Sequence, residues 1–194
     1  SENYPRVIEL FKEVKNILNE KDLGIIDSLV YNNSRLQNKL DNAKSYWKIA
    51  PGENAEHWEE CKKEDLIFIG WNQLGDISKL ERAELAVLYE KTMNKKAGPV
   101  SPDNMLWDFY QNIKIGDVVI ANKGKDEVVG IGKVDSGYYY DTTKIFHNVR
   151  KVKWIITKAI RIPNLSGWMR TLVRITDPQL ISLFKSYIQK EDIS

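Results

Sequence analysis

The residues of this sequence best suited to a binding role are aromatic side chains near the ends of predicted strands. Their rings can stack on the flat ring of a ligand. The chain has 6 Trp and 9 Tyr among 194 residues. Trp71 ends an apolar run and precedes a polar loop, Trp47 lies in a short apolar segment, and Tyr138, Tyr139 and Tyr140 are consecutive. Stacking one nucleic-acid base on such a ring contributes roughly 1–3 kcal/mol. Trp47 and Trp71 are equally well suited to a hydrophobic core, so pocket and core both stay open for them.

The tyrosine run adds a geometric constraint. In an extended chain Tyr138 and Tyr140 share one face and Tyr139 takes the other. At least one of these rings is therefore expected to face a pocket or solvent. The remaining candidates are less informative, because Trp58, Trp107 and Trp154 fall within regular apolar patterns and are predicted to be core.

Positive charge is concentrated in one part of the sequence. Between Thr142 and Arg174 there are eight Lys and Arg residues and no acid, so the rest of the chain has a net charge of −6 although the whole has +2. A segment of one sign indicates a polyanionic partner such as nucleic acid, or else a solvated basic face.

Catalytic and metal-binding signatures are absent from the sequence. It has no Walker loop, no HExxH and no Gly-x-Ser-x-Gly elbow. The only cysteine is Cys61 and the only histidines are His57 and His147, which excludes an internal disulfide and argues against a structural metal site. We therefore expect a binding domain that is not an enzyme and has no cofactor or metal.

The compartment is expected to be cytoplasmic. No apolar run approaches the roughly 18 residues that a membrane-spanning helix needs. The first residues, Ser-Glu-Asn-Tyr-Pro, lack the basic and apolar pattern of a signal peptide.

The predicted helices frame the segment that carries the aromatic residues. Apolar residues at spacings of three and four predict a helical hairpin within residues 5–40. Ser78 and Glu81 have the spacing of a capping box and predict a helix from Ser78 to about Asn94. Further helices are predicted over 53–63 and 103–111, and Asp177-Pro178 opens a last helix.

The predicted strands are short and apolar. They cover 46–50, 66–71 and 149–162, with 66–71 expected in the centre of a sheet. Residues 115–122 and 127–134 flank a turn and predict an antiparallel hairpin. Gly130 and Gly132 in its second strand indicate a bulge, a sharp bend or a close ligand.

Several sequence blocks in this order resemble a known family. They are Tyr46-Trp47-Lys48-Ile49-Ala50-Pro51-Gly52, Phe68-Ile69-Gly70-Trp71 with Leu74-Gly75-Asp76, Gly116 to Asn122, Val129-Gly130-Ile131-Gly132, and Val149 to Trp154. Together they resemble the EVE-type branch of the PUA-like superfamily, which is related to YTH domains. The sequence looks most like the N-terminal DNA-recognition domains of McrB-type modification-dependent restriction proteins, over about residues 44–162.

The resemblance implies an α+β fold, in which a small, bent, mixed β-barrel is flanked by helices. The expected organisation is an N-terminal helical extension over 1–43, a modified-base recognition domain over 44–175, and over 176–194 a C-terminal helix or a linker to a motor domain. The implied function is recognition of a methylated base, N6-methyladenine above all, that is flipped out of duplex DNA. The implied partners are methylated duplex DNA, an AAA+ GTPase domain in the full-length chain and a McrC-type nuclease subunit.

The resemblance also assigns site residues. Trp71 matches the position of a cage aromatic, one of Tyr138, Tyr139 or Tyr140 would supply the opposing wall, and Trp47 would close the floor or belong to the core. YTH readers carry Lys-Ser-Asn where this sequence has Ala50-Pro51-Gly52. The expected base-edge contacts are therefore Ala50, Gly52, Asn54, Asn72 and Asp76. The expected phosphate contacts are His147, Arg150, Lys151 and Lys153.

Three other functions are compatible with the sequence. The first is an RNA-binding PUA-like domain that acts in RNA modification or decay. The second is a reader of a modified cytosine, which also needs an aromatic pocket. The third is an assembly subunit that docks proteins through its terminal helices.

Overall fold

The computed structural model describes residues 31–32, 44–98, 101–163, 165 and 168–191. The chain divides into two compact units, Ser1–Lys44 and Ser45–Ser194. In the first unit Tyr31 and Asn32 are helical, and the rest of the hairpin predicted within 5–40 lies outside the described residues. Every element discussed below belongs to the second unit.

The second unit is α+β and is built on one mixed sheet. Its strands, over the described residues, are β1 (Tyr46–Ile49), β2 (Leu66–Ile69), β3 (Val118–Lys123), β4 (Glu127–Val134), β5 (Tyr139–Tyr140), β6 (Asn148–Ile156), β7 (Ile160–Arg161) and β8 (Leu172–Ile175). The order is β2-β6-β4-β3-β1-β8, with β5 paired to β6 and β7 to β4. Only the β1–β3 pair is parallel among the pairings described. The sheet curls into a half-barrel flanked by helices.

Strand alternation gives the sheet two apolar faces. In β1, Trp47 and Ile49 join one buried cluster, whereas Tyr46 joins a second cluster on the opposite face. In β3, Val119 and Val118 divide in the same way. Both faces therefore need a cover, which the helices supply.

Three helices contribute to the first cluster. They are α1 (Trp58–Lys63), α2 (Arg82–Met93) and α3 (Pro102–Trp107), and a π-helical segment, Asp108–Asn112, continues α3. Their buried residues include Trp58, Leu85 and Leu106. Two 3₁₀ turns, Glu53–Ala55 and Asn72–Leu74, follow β1 and β2.

The C-terminal helix α4 (Pro178–Glu191) contributes to the second cluster. Phe184 is fully buried and Ile188 nearly so, and both belong to the cluster that holds Tyr46 and Val118. Residues 176–194 therefore include a helix that is packed into the same unit as the sheet.

Most predicted elements are present, with four corrections. The predicted hairpin is confirmed as β3 and β4. The run predicted as a central strand, β2, pairs with β6 alone among the described strands and ends their order. The predicted helix over 53–63 is a 3₁₀ turn followed by α1, and the strand predicted over 149–162 is divided into β6 and β7.

The fourth correction concerns the start of α2. The helix begins after Glu81, whose backbone N–H donates to the Glu84 carboxylate over 2.8 Å. Ser78 instead lies in a turn, where its N–H donates to the Asp76 carboxylate. The capping box is therefore one turn later than the Ser78–Glu81 spacing predicted.

Candidate functional site

A cavity of about 470 Å³ lies where loops from distant parts of the sheet meet. Its walls come from the segments that follow β1 and β2, the end of β3, and the segments that precede β6 and β8. Ligand sites typically have volumes of about 300–1,000 Å³, with apolar and aromatic walls and a few polar groups. This cavity has that size, and its lining includes four aromatic side chains and the polar Asn122.

Two tryptophans and two phenylalanines supply the aromatic walls. Trp71 is half-buried, and Trp168 is 4% exposed and stacks on Phe184 of α4 with 6.3 Å between ring centroids. Phe68 and Phe146 meet edge to face at 5.3 Å. The His57 ring packs behind both phenylalanines, at 5.9 and 5.3 Å. Three of these four rings, Phe68, Phe146 and Trp168, are therefore held by contacts with other rings.

The backbone around the cavity has several residues with positive φ, three of which are not glycine. Nine residues in the described part of the chain have positive φ, and five of them line the cavity: Gly52, Asn54, Ala55, Trp71 and Gly124. Left-handed conformation costs an ordinary residue about 1–2 kcal/mol, and for a bulky residue such as Trp71, with φ 66°, it is rare. Strain of this kind persists where surrounding structure enforces it and is concentrated at ligand sites.

Gly52 shows why one position needs glycine. Its φ is 80°, and a Cβ there would lie 2.6 Å from Cδ2 of His57. His57 in turn donates its backbone N–H to the Pro51 carbonyl over 3.0 Å. The turn after β1 can therefore approach the His57 ring only without a side chain at position 52.

Asn122 is a polar group in the cavity wall. Its side chain is 3% exposed, and its Nδ2 donates to the carbonyls of Gly124 at 2.6 Å and Trp168 at 3.3 Å. Its Oδ1 is buried and has no hydrogen-bond partner among the described residues. The amide thereby joins the β3–β4 turn to the loop that carries Trp168.

Both signs of charge occur beside the cavity. Glu53 and Glu56 are exposed and belong to its wall. The exposed Lys123 and Lys125 flank Gly124, and the exposed Arg170 lies between two further wall residues. The cavity therefore has acids on the segment after β1 and cations on the β3–β4 turn and the loop before β8.

Of the predicted cage residues, the structure brings Trp71 to this cavity. Trp47 is 1% exposed and belongs to the core, where its indole N–H donates to Asp117 over 2.9 Å. Of the two roles left open for Trp47, the structure therefore gives it the core. Trp168 and Phe146 also line this cavity, whereas the three tyrosines are not among its described wall residues.

The three tyrosines have other contacts. The Tyr138 hydroxyl donates to Asn148 over 2.8 Å, and its ring lines a second cavity of about 520 Å³ together with Tyr110. Burial raises the pKa of Tyr138. Tyr139 packs against the first cluster, and Tyr140 is hydrogen-bonded to His147 at 3.0 Å.

The predicted base-edge residues divide into two groups. Ala50, Gly52 and Asn54 line the cavity. Asn72 instead ties two loops together, donating to the Ile145 carbonyl and accepting the His147 backbone N–H. The Asp76 carboxylate accepts the Ser78 N–H.

The predicted phosphate contacts also differ from one another. Arg150 is 3% exposed and donates to the carbonyls of Phe109, Tyr110 and Ser136, so its guanidinium serves the fold and is not available to a phosphate. Burial lowers its pKa to about 10.

The other three predicted phosphate contacts are more accessible. Lys151 and Lys153 are exposed on β6, although the Lys151 ammonium donates to the Glu64 carbonyl. His147 is half-buried against Tyr140.

The wall residues that the sequence reasoning missed include Phe146, Trp168 and Asn122. They come from three separate segments that only the tertiary structure brings together. The one available signal was the isolated Trp168 after Ser166-Gly167, because an aromatic residue outside any periodic pattern is suited to a pocket.

No three His, Cys, Asp or Glu side chains among the described residues are grouped so as to hold a metal ion. None of the helices formed by these residues has the length and apolarity required to span a membrane.

Sequence comparison identifies a family. Residues 47–175, which run from β1 through β8, match the profile of DUF8426, described as a domain of unknown function. Comparison with curated proteins gives no significant match. The matched region contains every segment of the cavity wall and stops before α4.

Proposed function

Since the chain belongs to the DUF8426 family, whose function is unknown, we propose that this domain recognises DNA and takes a methylated base, flipped out of the duplex, into the cavity beside Trp71 and Trp168. The observation that carries the proposal is an aromatic-walled cavity of about 470 Å³ built on strained backbone. The finer fold assignment that we propose is PUA-like of the EVE type, which the curled mixed sheet supports.

The energetics of base flipping agree with such walls. Extruding a base costs a few kcal/mol of stacking and pairing. Stacking on an aromatic ring returns about 1–3 kcal/mol per base. A methyl group buried against the rings adds about 0.8 kcal/mol, so a methylated base gains a preference of about fourfold before packing is counted.

Phosphate contacts are proposed for cations next to the cavity. Lys123 and Lys125 flank the wall residue Gly124, and Arg170 adjoins Met169 and Thr171. Lys151, Lys153 and His147 remain in the proposal as a second group. Each phosphate that such side chains neutralise makes binding weaker as salt rises.

The proposed biological setting is a modification-dependent restriction system. N6-methyladenine is the favoured base. The domain would supply specificity to an AAA+ GTPase motor and a McrC-type nuclease, as the sequence resemblance implies, without itself being an enzyme.

Binding to labelled duplexes tests the proposal. Fluorescence anisotropy compares one duplex with and without N6-methyladenine, and further arms contain 5-methylcytosine or single-stranded RNA of the same sequence. We expect the N6-methyladenine duplex to bind most tightly. Tightest binding to the RNA or to the modified cytosine would favour one of the alternatives that the sequence left open.

A variant of the wall identifies the site. Trp71→Ala is expected to weaken binding to the methylated duplex by about tenfold or more, because one stacking surface is lost. Trp107→Ala is the matched control, since Trp107 is also half-buried but packs against Tyr110 away from the cavity wall. Equal affinity for methylated and unmethylated duplexes, or no effect of Trp71→Ala, contradicts the proposal.

A further inference from the structure

We propose that Met169 is a wedge residue: when a base leaves the duplex for the cavity, the Met169 side chain enters the gap that the base leaves in the stack. This inference rests on the proposed function and adds a positioning residue to the same site. It starts from the accessibility of Met169, which lines the cavity although it is 70% exposed.

The location of Met169 distinguishes it from other exposed apolar residues. The described part of the second unit has four large hydrophobic residues that are exposed, namely Val87, Ile115, Ile145 and Met169. Met169 is the most exposed of them, and the other three are not among the described wall residues of the cavity. Single apolar side chains are common on protein surfaces. This one borders both the cavity and the solvent, so a duplex that delivers a base to the cavity must pass beside it.

The backbone that carries Met169 is held on both sides. The Trp168 carbonyl accepts a hydrogen bond from Nδ2 of Asn122 at 3.3 Å, and the Arg170 carbonyl accepts one from the buried ammonium group of Lys48. A side chain that is inserted between bases has to resist being pushed back. A backbone that is already fixed provides that resistance without a further ordering cost on binding.

Cations surround the position of Met169 in the structure. Arg170 follows it directly and is exposed. Asn122 bonds to both Trp168 and Gly124, and so it joins the Met169 loop to the β3–β4 turn, where Lys123 and Lys125 are exposed. Lys and Arg contacts to phosphates fix the position of a protein on a duplex. The strand that these cations hold would therefore lie against Met169.

The chemistry of methionine suits a wedge. Extrusion of a base leaves the two flanking base pairs without a stacking partner, and proteins that kink DNA insert Met, Leu, Ile, Phe or Pro between base steps. Methionine is unbranched and flexible, and its polarizable sulfur makes favourable contacts with aromatic rings. The inserted side chain restores part of the lost stacking and occupies the place to which the base would return. It contributes only where a duplex is opened, because a single strand has no such gap.

Comparison of two substrates tests the inference. One is a duplex with a single N6-methyladenine, and the other is the same methylated strand alone. We expect Met169→Ala to weaken duplex binding by about tenfold and single-strand binding by less than about twofold. Trp71→Ala should weaken both, because the base stacks on that ring in either case. Ile115→Ala is the matched control, since Ile115 is 67% exposed and outside the wall, and it should affect neither.

Two further variants show which property of the side chain matters. Met169→Leu keeps an apolar side chain and should retain duplex affinity within about twofold. Met169→Gln keeps the length but is polar, and should lose as much as Met169→Ala. Equal losses on the duplex and the single strand overturn the inference, because Met169 then acts only as cavity wall. Full duplex affinity in Met169→Ala or in Met169→Gln also overturns it.

Methyl NMR of the unmodified protein gives an independent measurement. The chain has three methionines, and Met93 and Met105 pack against the first cluster as internal references. The Met169 methyl resonance should move upfield at saturation with the methylated duplex, because the methyl group then lies between base rings. The shift should exceed the one caused by the methylated strand alone. An unmoved resonance, or equal shifts with both substrates, overturns the inference.

These outcomes separate the inference from the proposed function. A preference for the methylated duplex that depends on Trp71 but not on Met169 leaves the proposed function standing and overturns the inference. Met169-dependent binding of duplex, without any preference for the methylated base, supports the wedge and contradicts methyl recognition. Absence of duplex binding overturns both.

Discussion

A buried lysine lies behind the cavity loops. Lys48 of β1 has no exposed surface, and its ammonium group donates to the carbonyl of Arg170, which directly precedes the wall residue Thr171. Burial lowers its pKa from 10.5 to about 8. The ammonium group therefore keeps its charge at neutral pH at a cost in folding free energy.

Lys48→Met should stabilise the fold at pH 7 and change how stability depends on pH. Because the folded-state pKa lies below the unfolded value, the unfolded chain binds more protons between pH 8 and 10.5, and stability should rise with pH across that window. The variant should lack this rise and gain on the order of 3 kcal/mol at pH 7. Urea unfolding of both proteins at pH 7 and pH 10 measures the difference. A parallel pH dependence in the two proteins would show that Lys48 is not the group responsible.

Individual residues were predictable where local sequence determined their role. Trp71 was identifiable because it ends an apolar run just before a polar loop, and it lines the cavity. Asn122 was not identifiable, and Trp168 was indicated only by its isolation in the sequence, because their contact joins residues 46 positions apart. The rings of the tyrosine run contact Asn148, the core and His147, and the wall role expected for one of them stays a prediction.

Among the strands, β4 requires glycine at position 130, because the packed structure has no room there for a side chain. A Cβ on Gly130 would lie 2.1 Å from the Trp58 ring, which itself packs edge to face on Trp154 at 4.7 Å. At Gly132 the pairing with β6 shifts register, and a Cβ would lie 2.5 Å from Val152. Of the bulge, sharp bend or close ligand predicted for these glycines, the structure shows a register shift at Gly132. At Gly130 it shows close packing against a tryptophan ring, which was not predicted.

Gly130→Ala should destabilise the fold by about 1–3 kcal/mol or more, because neither the strand nor the Trp58 ring can move without disturbing the core. Gly137→Ala is the matched control, since no atom lies within 4 Å of its added Cβ and its φ is not positive. The control should be near neutral. Thermal and urea unfolding give both values, and equal stabilities for the two variants would contradict the packing described for Trp58.

Element boundaries were predictable from periodicity only where pairing is continuous. The long strand predicted over 149–162 is interrupted at residues 157–159, because β4 has only two residues, Val129 and Gly130, opposite these three. One strand therefore has an extra residue relative to its partner, which is the geometry of a bulge. Local sequence propensity does not predict where such a bulge occurs. The hairpin of β3 and β4 was predictable because its turn and both apolar strands are adjacent in sequence.

For the whole molecule, the covering of both sheet faces determines stability. Phe184 of α4 is fully buried against the second cluster and stacks on Trp168. The family match at 47–175 ends before this helix. One face of the sheet in the matched region is therefore covered by α4, which lies outside the match.

Phe184→Ala should destabilise the second unit by about 3–5 kcal/mol, the usual result of removing a fully buried phenylalanine ring. Ser182→Ala, at an exposed position of the same helix, should have little effect. Urea unfolding measures both free energies of unfolding. A change of less than about 1 kcal/mol for Phe184→Ala would contradict the role assigned to α4.

In the folded protein the positive charges of the basic segment are distributed differently from what their run in the sequence suggests. The basic segment 142–174 is not available as a whole to a partner, because Lys144 pairs with Glu64, Arg150 is buried and Arg161 pairs with Asp126. A stretch of one sign in sequence is thus divided by the sheet among structural and exposed positions. Only the exposed part can attract a polyanion.

The stack of Trp168 on Phe184 has a mechanical consequence. One face of the Trp168 ring system belongs to the packing of α4, while the residue also forms the cavity wall and its carbonyl is held by Asn122. Any occupant that immobilises Trp168 must therefore also slow the local opening of α4, since the two motions share one ring. Binding in the cavity should therefore be detectable as slower hydrogen exchange of the α4 backbone amides, at a distance from the ligand itself.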